Sequence, residues 1–258
     1  VGETLKAGKC VTGHYSISET DRGLNAYIAS GVRACHECIT ADDVMAKLRM
    51  GMYVQARYGS AWLSLPNYLP QVLESGVDTR LILLCTDDNH PNTLVNEGGM
   101  DRALRAVLEC GCDPVTALQF ATINAAQCLG VDQDMGSITP GKCADMVILP
   151  DLETFIPEQV YIDGDLVAQD GKATFDHDLF EWPEFMTHTM NVGRTFIAAD
   201  FEIPVDRPDG MCRVRAIGGV GGSTITEDAV IEVPVVDGKL QANPAIDALK
   251  MAVFDRHH

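Results

Sequence analysis

RLILLCTDD, residues 80–88, is a run of five apolar residues that breaks off into a threonine and two aspartates. An apolar run of this length, bounded by polar residues, is the pattern of a strand buried on both faces of a parallel sheet. Three runs upstream end in the same abrupt way. Residues 9–12 lead into Gly13-His14, residues 30–34 into Cys35-His36-Glu37, and residues 52–56 (MYVQA) into Arg57-Tyr58-Gly59-Ser60.

Helix-like segments separate these runs. Residues 19–30 carry Leu24, Tyr27 and Ile28 at helical spacing. Residues 40–51 open on Thr40, a natural N-cap with Asp43 three positions on, and stop at Gly51. Residues 62–75 form a third segment, interrupted by Pro66 and Pro70. The alternation β-α-β-α-β-α-β predicts a parallel sheet with helical crossovers. A helix is expected over 92–110. Another starts at Asp113-Pro114, with the aspartate as N-cap and the proline in the first turn, and runs to Gly130.

The texture then changes. Residues 136–174 show short β-runs punctuated by Pro-Gly, Asp-Gly and Gly-Lys, with a tight hairpin turn at Ile162-Asp163-Gly164-Asp165. From residue 175 the chain is irregular and aromatic-rich. Strands are expected at 195–203, 211–217 and 229–236, and a helix at 244–254. The glycine run at 218–222 lacks the Lys-Ser/Thr ending of a phosphate loop and reads as a flexible connection.

The 258 residues are 46% hydrophobic and 22% charged, with 37 acidic against 19 basic residues and a formal charge of -18. Such a field repels nucleic-acid phosphates and anionic lipid surfaces, which argues against both as partners. No run approaches the roughly 20 apolar residues of a membrane span. Nine cysteines, an odd number set among apolar neighbours, read as reduced thiols of a cytoplasmic protein rather than a disulfide framework.

Three strand ends carry the candidate chemistry: Gly13-His14, Cys35-His36-Glu37 and Thr86-Asp87-Asp88. In parallel βα architectures the carboxyl ends of the strands form the active face. Two histidines and an aspartate meeting there suit a divalent cation, which can make water a nucleophile near neutral pH. A turn or capping role is the plain alternative for each residue alone. Cys35-x-x-Cys38 lacks a second ligand pair for a zinc knuckle, and a redox dithiol remains open.

The order Gly13-His14, His36-Glu37 before Thr40-Ala41, MYVQARYGSA and LLCTDDNHP resembles the adenine deaminases of the amidohydrolase superfamily. So do DPVTALQFATINAAQCLG and DMGSITPGKCADMVILPDLETFIPEQVYIDGDLV. The GxIxPGxxAD portion is shared across the superfamily. The resemblance implies an α/β fold: a partial (β/α)8 TIM-type barrel carrying strands 5–8 over residues 1–135, a small β-sandwich segment over 136–174, and an incomplete α+β C-terminal region over 175–258. It implies hydrolysis of adenine to hypoxanthine and ammonia, as in purine salvage. The centre would be binuclear in the parent family, with manganese or iron ahead of zinc. Carried over by position, His14, His36 and Asp87 would be metal ligands, and Asp87 would also shuttle the proton. Glu37 would act in catalysis on the substrate or a proton. Asp88 and His90, in the same loop, would touch substrate or the groups around the metal ligands.

The family's His-x-His pair and its further glutamate ligand have no counterpart here, since His14 is the first histidine. The expectation is therefore an internal piece of a longer enzyme, inactive alone, which pairs with another copy or with the remainder. The alternatives are an amidohydrolase acting on a cyclic amide or another aminated ring, a non-catalytic assembly module, and a thiol redox protein.

Overall fold

The computed structural model describes residues 1–17, 19–176, 180–220 and 226–256. Among these, Val1–Asp176 form one unit, and residues 180–220 with 226–256 form another.

The first unit begins with α1 (Gly2–Lys6). It continues as β1 (Thr12–Gly13), α2 (Arg22–Ala29), β2 (Ala34–Cys35), α3 (Ala41–Arg49), β3 (Tyr53–Arg57), α4 (Leu69–Glu74) and β4 (Ile82–Cys85). The four strands pair in parallel in the order β1-β2-β3-β4. Registers Thr12↔Ala34, Ala34↔Tyr53 and Val54↔Ile82 through Arg57↔Cys85 align the strand ends on one rim. Thr40 caps α3 by accepting from the Asp43 amide. Acidic residues at its start and Lys47 and Arg49 near its end complement the helix dipole.

Alternation along β4 explains its apolar run. Ile82 and Leu84 join the main core with Val54, Ala56, Tyr68, Leu69 and Phe120, while Leu83 faces the other way, against Ala34 and Cys128. Both faces of the strand are thereby covered.

After β4 come α5 (Pro91–Asn96), α6 (Met100–Glu109), α7 (Pro114–Ala121) and α8 (Ile123–Leu129). Two expected helices are each divided. Gly98, at φ +110, breaks the 92–110 segment. Thr122 interrupts the second, its hydroxyl donating back to the Leu118 carbonyl at 2.6 Å, a local bond that competes with helical pairing. Asp113 caps α7 by accepting from the amides of Val115 and Thr116, and Gly130 ends α8 in the left-handed region at φ +72.

The unit closes with an antiparallel sheet of β5 (Met146–Ile148), β6 (Gln159–Ile162), β7 (Asp165–Gln169) and β8 (Lys172–Ala173), in chain order. Asp163 and Gly164 both have positive φ, as a two-residue hairpin of the primed type requires.

The second unit has a short helix α9 (Glu184–Thr187) and a sheet ordered β10-β11-β12-β9. Its strands are β9 (Ile203–Pro204), β10 (Gly210–Gly219), β11 (Thr226–Val236) and β12 (Lys239–Leu240). Two expectations are corrected here. Of residues 195–203 only Ile203 is in a strand: a 3₁₀ turn occupies Ala198–Phe201, held by the Asp200 carboxylate accepting from the Ile197 amide at 2.8 Å. The helix at 244–254 shrinks to Pro244–Ile246, because Asp247 turns left-handed at φ 55. Of the glycine run, Gly218 and Gly219 belong to β10; Gly221 and Gly222 lie outside the described residues.

Candidate metal centre

Each parallel strand delivers one or two polar residues to the same rim. His14 follows β1, His36 and Glu37 follow β2, Arg57 ends β3, and Asp87 lies two residues past β4. Parallel pairing in register is what brings together residues separated by more than seventy positions in the chain.

Glu37 is the hub. Its Oε1 lies 2.9 Å from His14 Nδ1, 3.5 Å from His36 Nε2 and 3.2 Å from Arg57 Nη1. Its side chain is 4% exposed, so the carboxylate is buried among partners of complementary character. The two imidazoles meet edge to face, with centroids 4.3 Å apart. One donor atom from each of His14, His36 and Glu37 lies within 4.8 Å of the others. Two imidazole nitrogens and a carboxylate oxygen match the preferences of a divalent first-row cation, so the donor set fits one.

Asp87 stands at the edge of this group. Its Oδ2 is 3.9 Å from His36 Nε2 and accepts from Arg57 Nη1 at 2.9 Å. Asp87 has φ 59, a conformation that costs most side chains energy and that aspartate tolerates comparatively well. Strain of this kind gathers at functional positions. Burial lowers the His36 pKa, and the neighbouring His14 lowers it further against the pull of Asp87 and Glu37. The outcome favours the neutral imidazole that can ligate a cation.

Asp88 and His90, the candidate substrate contacts, make hydrogen bonds within the loops. The Asp88 carboxylate accepts from the amides of Ala61, at 2.6 Å, and Trp62, at 3.4 Å, while Ser60 N donates to the Asp88 carbonyl. His90 caps α5 by accepting from Asn92 N at 3.2 Å, and its own amide donates to Ser60 Oγ. Gly59 fits between these loops because it has no Cβ; one would lie 2.6 Å from the Asp88 carbonyl and closer still to that of Thr86.

Residues 35 and 38 flank the centre without joining it. Both thiols are fully buried, and Lys47 Nζ lies 3.4 Å from Cys38 Sγ. The Cys35 pKa is lowered to about 6, first by its hydrogen bond with Cys38 and then by Lys47, against the effect of burial. All nine cysteines are free thiols; five are buried and Cys143 is exposed.

Arg57 was not singled out from the sequence as a site residue. The available signal was its place at the end of the third of four parallel strands, level with the other polar residues.

The amidohydrolase family model matches residues 67–167. Over all 258 residues the chain is 45% identical to an adenine deaminase of Clostridium botulinum (strain 657 / Type Ba4) and 38% identical to one of Paracoccus denitrificans. The chain spans 43% and 42% of the lengths of these two relatives. Among solved structures, the β-aspartyl dipeptidase of Fervidobacterium islandicum AW-1 superposes with a TM-score of 0.52 at 16% identity, covering 69% of this chain and 52% of its own. At that identity the likeness speaks for the fold alone.

Proposed function

We propose that this chain is part of an adenine deaminase that hydrolyses adenine to hypoxanthine and ammonia. The observation that carries the reading is the meeting of His14, His36 and Glu37 at one rim, with Asp87 beside them, in a chain 45% identical throughout to an adenine deaminase. Four parallel strands with helical crossovers support assignment as strands 5–8 of an eight-stranded barrel, completed by the remainder of the protein or by a second copy. We assign residues 1–135 to that barrel, 136–174 to a β-sandwich segment and 175–258 to the C-terminal region.

His14 and His36 would hold a divalent cation, with Asp87 or Glu37 supplying carboxylate oxygen. Manganese or iron in a binuclear centre is the preferred assignment. When bound, such a cation supplies electrophilic activation of water near neutral pH. The remaining work falls to the chain. Water oxygen bonds to C6 of adenine, and its proton passes to Asp87. Asp87 Oδ2 is held by Arg57, while no hydrogen bond engages Oδ1 among the described residues, which leaves an oxygen for proton transfer. Asp87 then returns the proton to the departing amine, the C6–N bond breaks, and ammonia leaves. Glu37, buried against both imidazoles, orients them.

Partnership with a purine base rather than a polyanion agrees with the net charge of -18. No helix among the described residues is long and apolar enough to cross a membrane. Nine free thiols support placement in the cytoplasm. The test is a steady-state assay of the whole protein with Mn²⁺ or Fe²⁺, following ammonia release from adenine and from a panel of cyclic amides and aminated rings. Turnover of adenine above the panel is expected; a preference for a cyclic amide would replace this assignment.

A further inference from the structure

Arg57 is 1% exposed, the largest of the fully buried side chains. A single nitrogen, Nη1, donates to carboxylates from two different strand ends: Glu37 Oε1 after β2 at 3.2 Å, and Asp87 Oδ2 after β4 at 2.9 Å. Its Nε and Nη2 are buried with no hydrogen-bond partner among the described residues. Buried donors left unpaired cost free energy. A guanidinium kept here at that cost is explained by the two bonds it does make. The indole of Trp62 lies 5.7 Å from the guanidinium carbon, and Ser64 Oγ donates to the Arg57 carbonyl at 3.5 Å, so residues of the following loop hold the arginine itself.

We propose that Arg57 is a positioning residue that ties Glu37 to Asp87 and so sets the spacing of the carboxylates around the cation. This rests on the metal-site reading above and deepens it. Arg57 acts through the groups that touch the cation and the substrate, and touches neither itself. The permanently charged guanidinium suits the task, because the two N–H groups of Nη1 can bond two carboxylates at once without a change of protonation.

The test uses the whole protein, stripped of metal and titrated with Mn²⁺, with free Mn²⁺ read by electron spin resonance. Arg57→Met is expected to loosen Mn²⁺ about 10–100-fold, the usual effect of removing a group that orients metal ligands. Arg57→Lys, which keeps the charge and can donate to both carboxylates, is expected to recover part of that loss. With Co²⁺ as the probe, the Lys variant should shift the visible absorption bands, since its shorter reach moves the carboxylates. In turnover, kcat should fall with little change in KM. A folded Arg57→Met protein that binds Mn²⁺ as tightly as the parent overturns the proposal, as does a Lys variant no better than Met. Where Arg57→Met does not fold, the Lys variant decides alone, and an unshifted Co²⁺ spectrum overturns the proposal. A parent protein that takes up no Mn²⁺ overturns the metal reading together with this one; uptake by the parent that ignores Arg57 overturns this one only.

Discussion

Lys47 Nζ and Asp43 Oδ1 lie 2.6 Å apart on successive turns of α3, with the lysine fully buried. The ammonium also donates to the Tyr15 carbonyl at 3.2 Å and lies 5.6 Å from the centre of the Tyr15 ring, so it links α3 to the loop after β1. Burial lowers the Lys47 pKa, but Cys38, Cys35 and Asp43 together raise it above the ordinary value, and the group stays charged. Removing one member of a buried pair costs about 3–5 kcal/mol, because the other charge is left without compensation. Lys47→Met should lower stability by that order in urea unfolding, and Lys47→Met combined with Asp43→Asn should recover part of it. A Lys47→Met protein as stable as the parent would contradict the pairing.

Asp87→Asn preserves size and the capacity to accept from Arg57, but removes the proton acceptor. In the whole protein kcat for adenine should fall by about 10²–10⁴-fold, the usual contribution of general acid–base catalysis, with KM little changed. Near-parental turnover would remove Asp87 from proton transfer.

His36 makes the metal-free protein sensitive to mild acid. Its folded pKa is lowered from 6.5, first by burial and then by His14. Between the folded value and the unfolded one, the unfolded chain binds a proton that the folded chain does not. Stability from this group is therefore fully present above pH 6.5 and is lost as pH falls toward the folded pKa. Thermal midpoints of the metal-free protein should drop across that window, and His36→Gln should flatten the drop. An equal slope in both proteins would remove His36 as its source.

Leu84 is 4% exposed within the main core, and Leu83 is 5% exposed on the opposite face. Leu84→Ala should cost about 2–5 kcal/mol through lost burial and the cavity left behind. Leu83→Ala should cost a comparable amount, because that face is covered too. A negligible effect at Leu83, read by denaturant midpoint, would mean that the strand has only one buried face.

Much of the first unit was legible in the sequence because its signals are local. The apolar runs marked the strands, Thr40 and Asp113 marked helix starts, and Asp163-Gly164 marked a turn. His14, His36 and Asp87 could be placed at strand ends by the same logic. Periodicity does not reveal which of them approach one another. Glu37 is the common acceptor, and Arg57 the link to Asp87, only because strand register sets the spacing. The second unit was harder. A single aspartate side chain, Asp200, turned an apparent strand into a 3₁₀ segment, and one left-handed residue, Asp247, ended an apparent helix. Such interactions override propensity without leaving a periodic trace.

The absence of a side chain at Gly59 lets the loops after β3 and β4 interlock, with Asp88 accepting amides from across the gap. Arg57 and Asp87 therefore sit on one stiff ledge, whereas His14 stands at the opposite end of the row, on the edge strand β1. When the centre is loaded, that ledge should act as the fixed template.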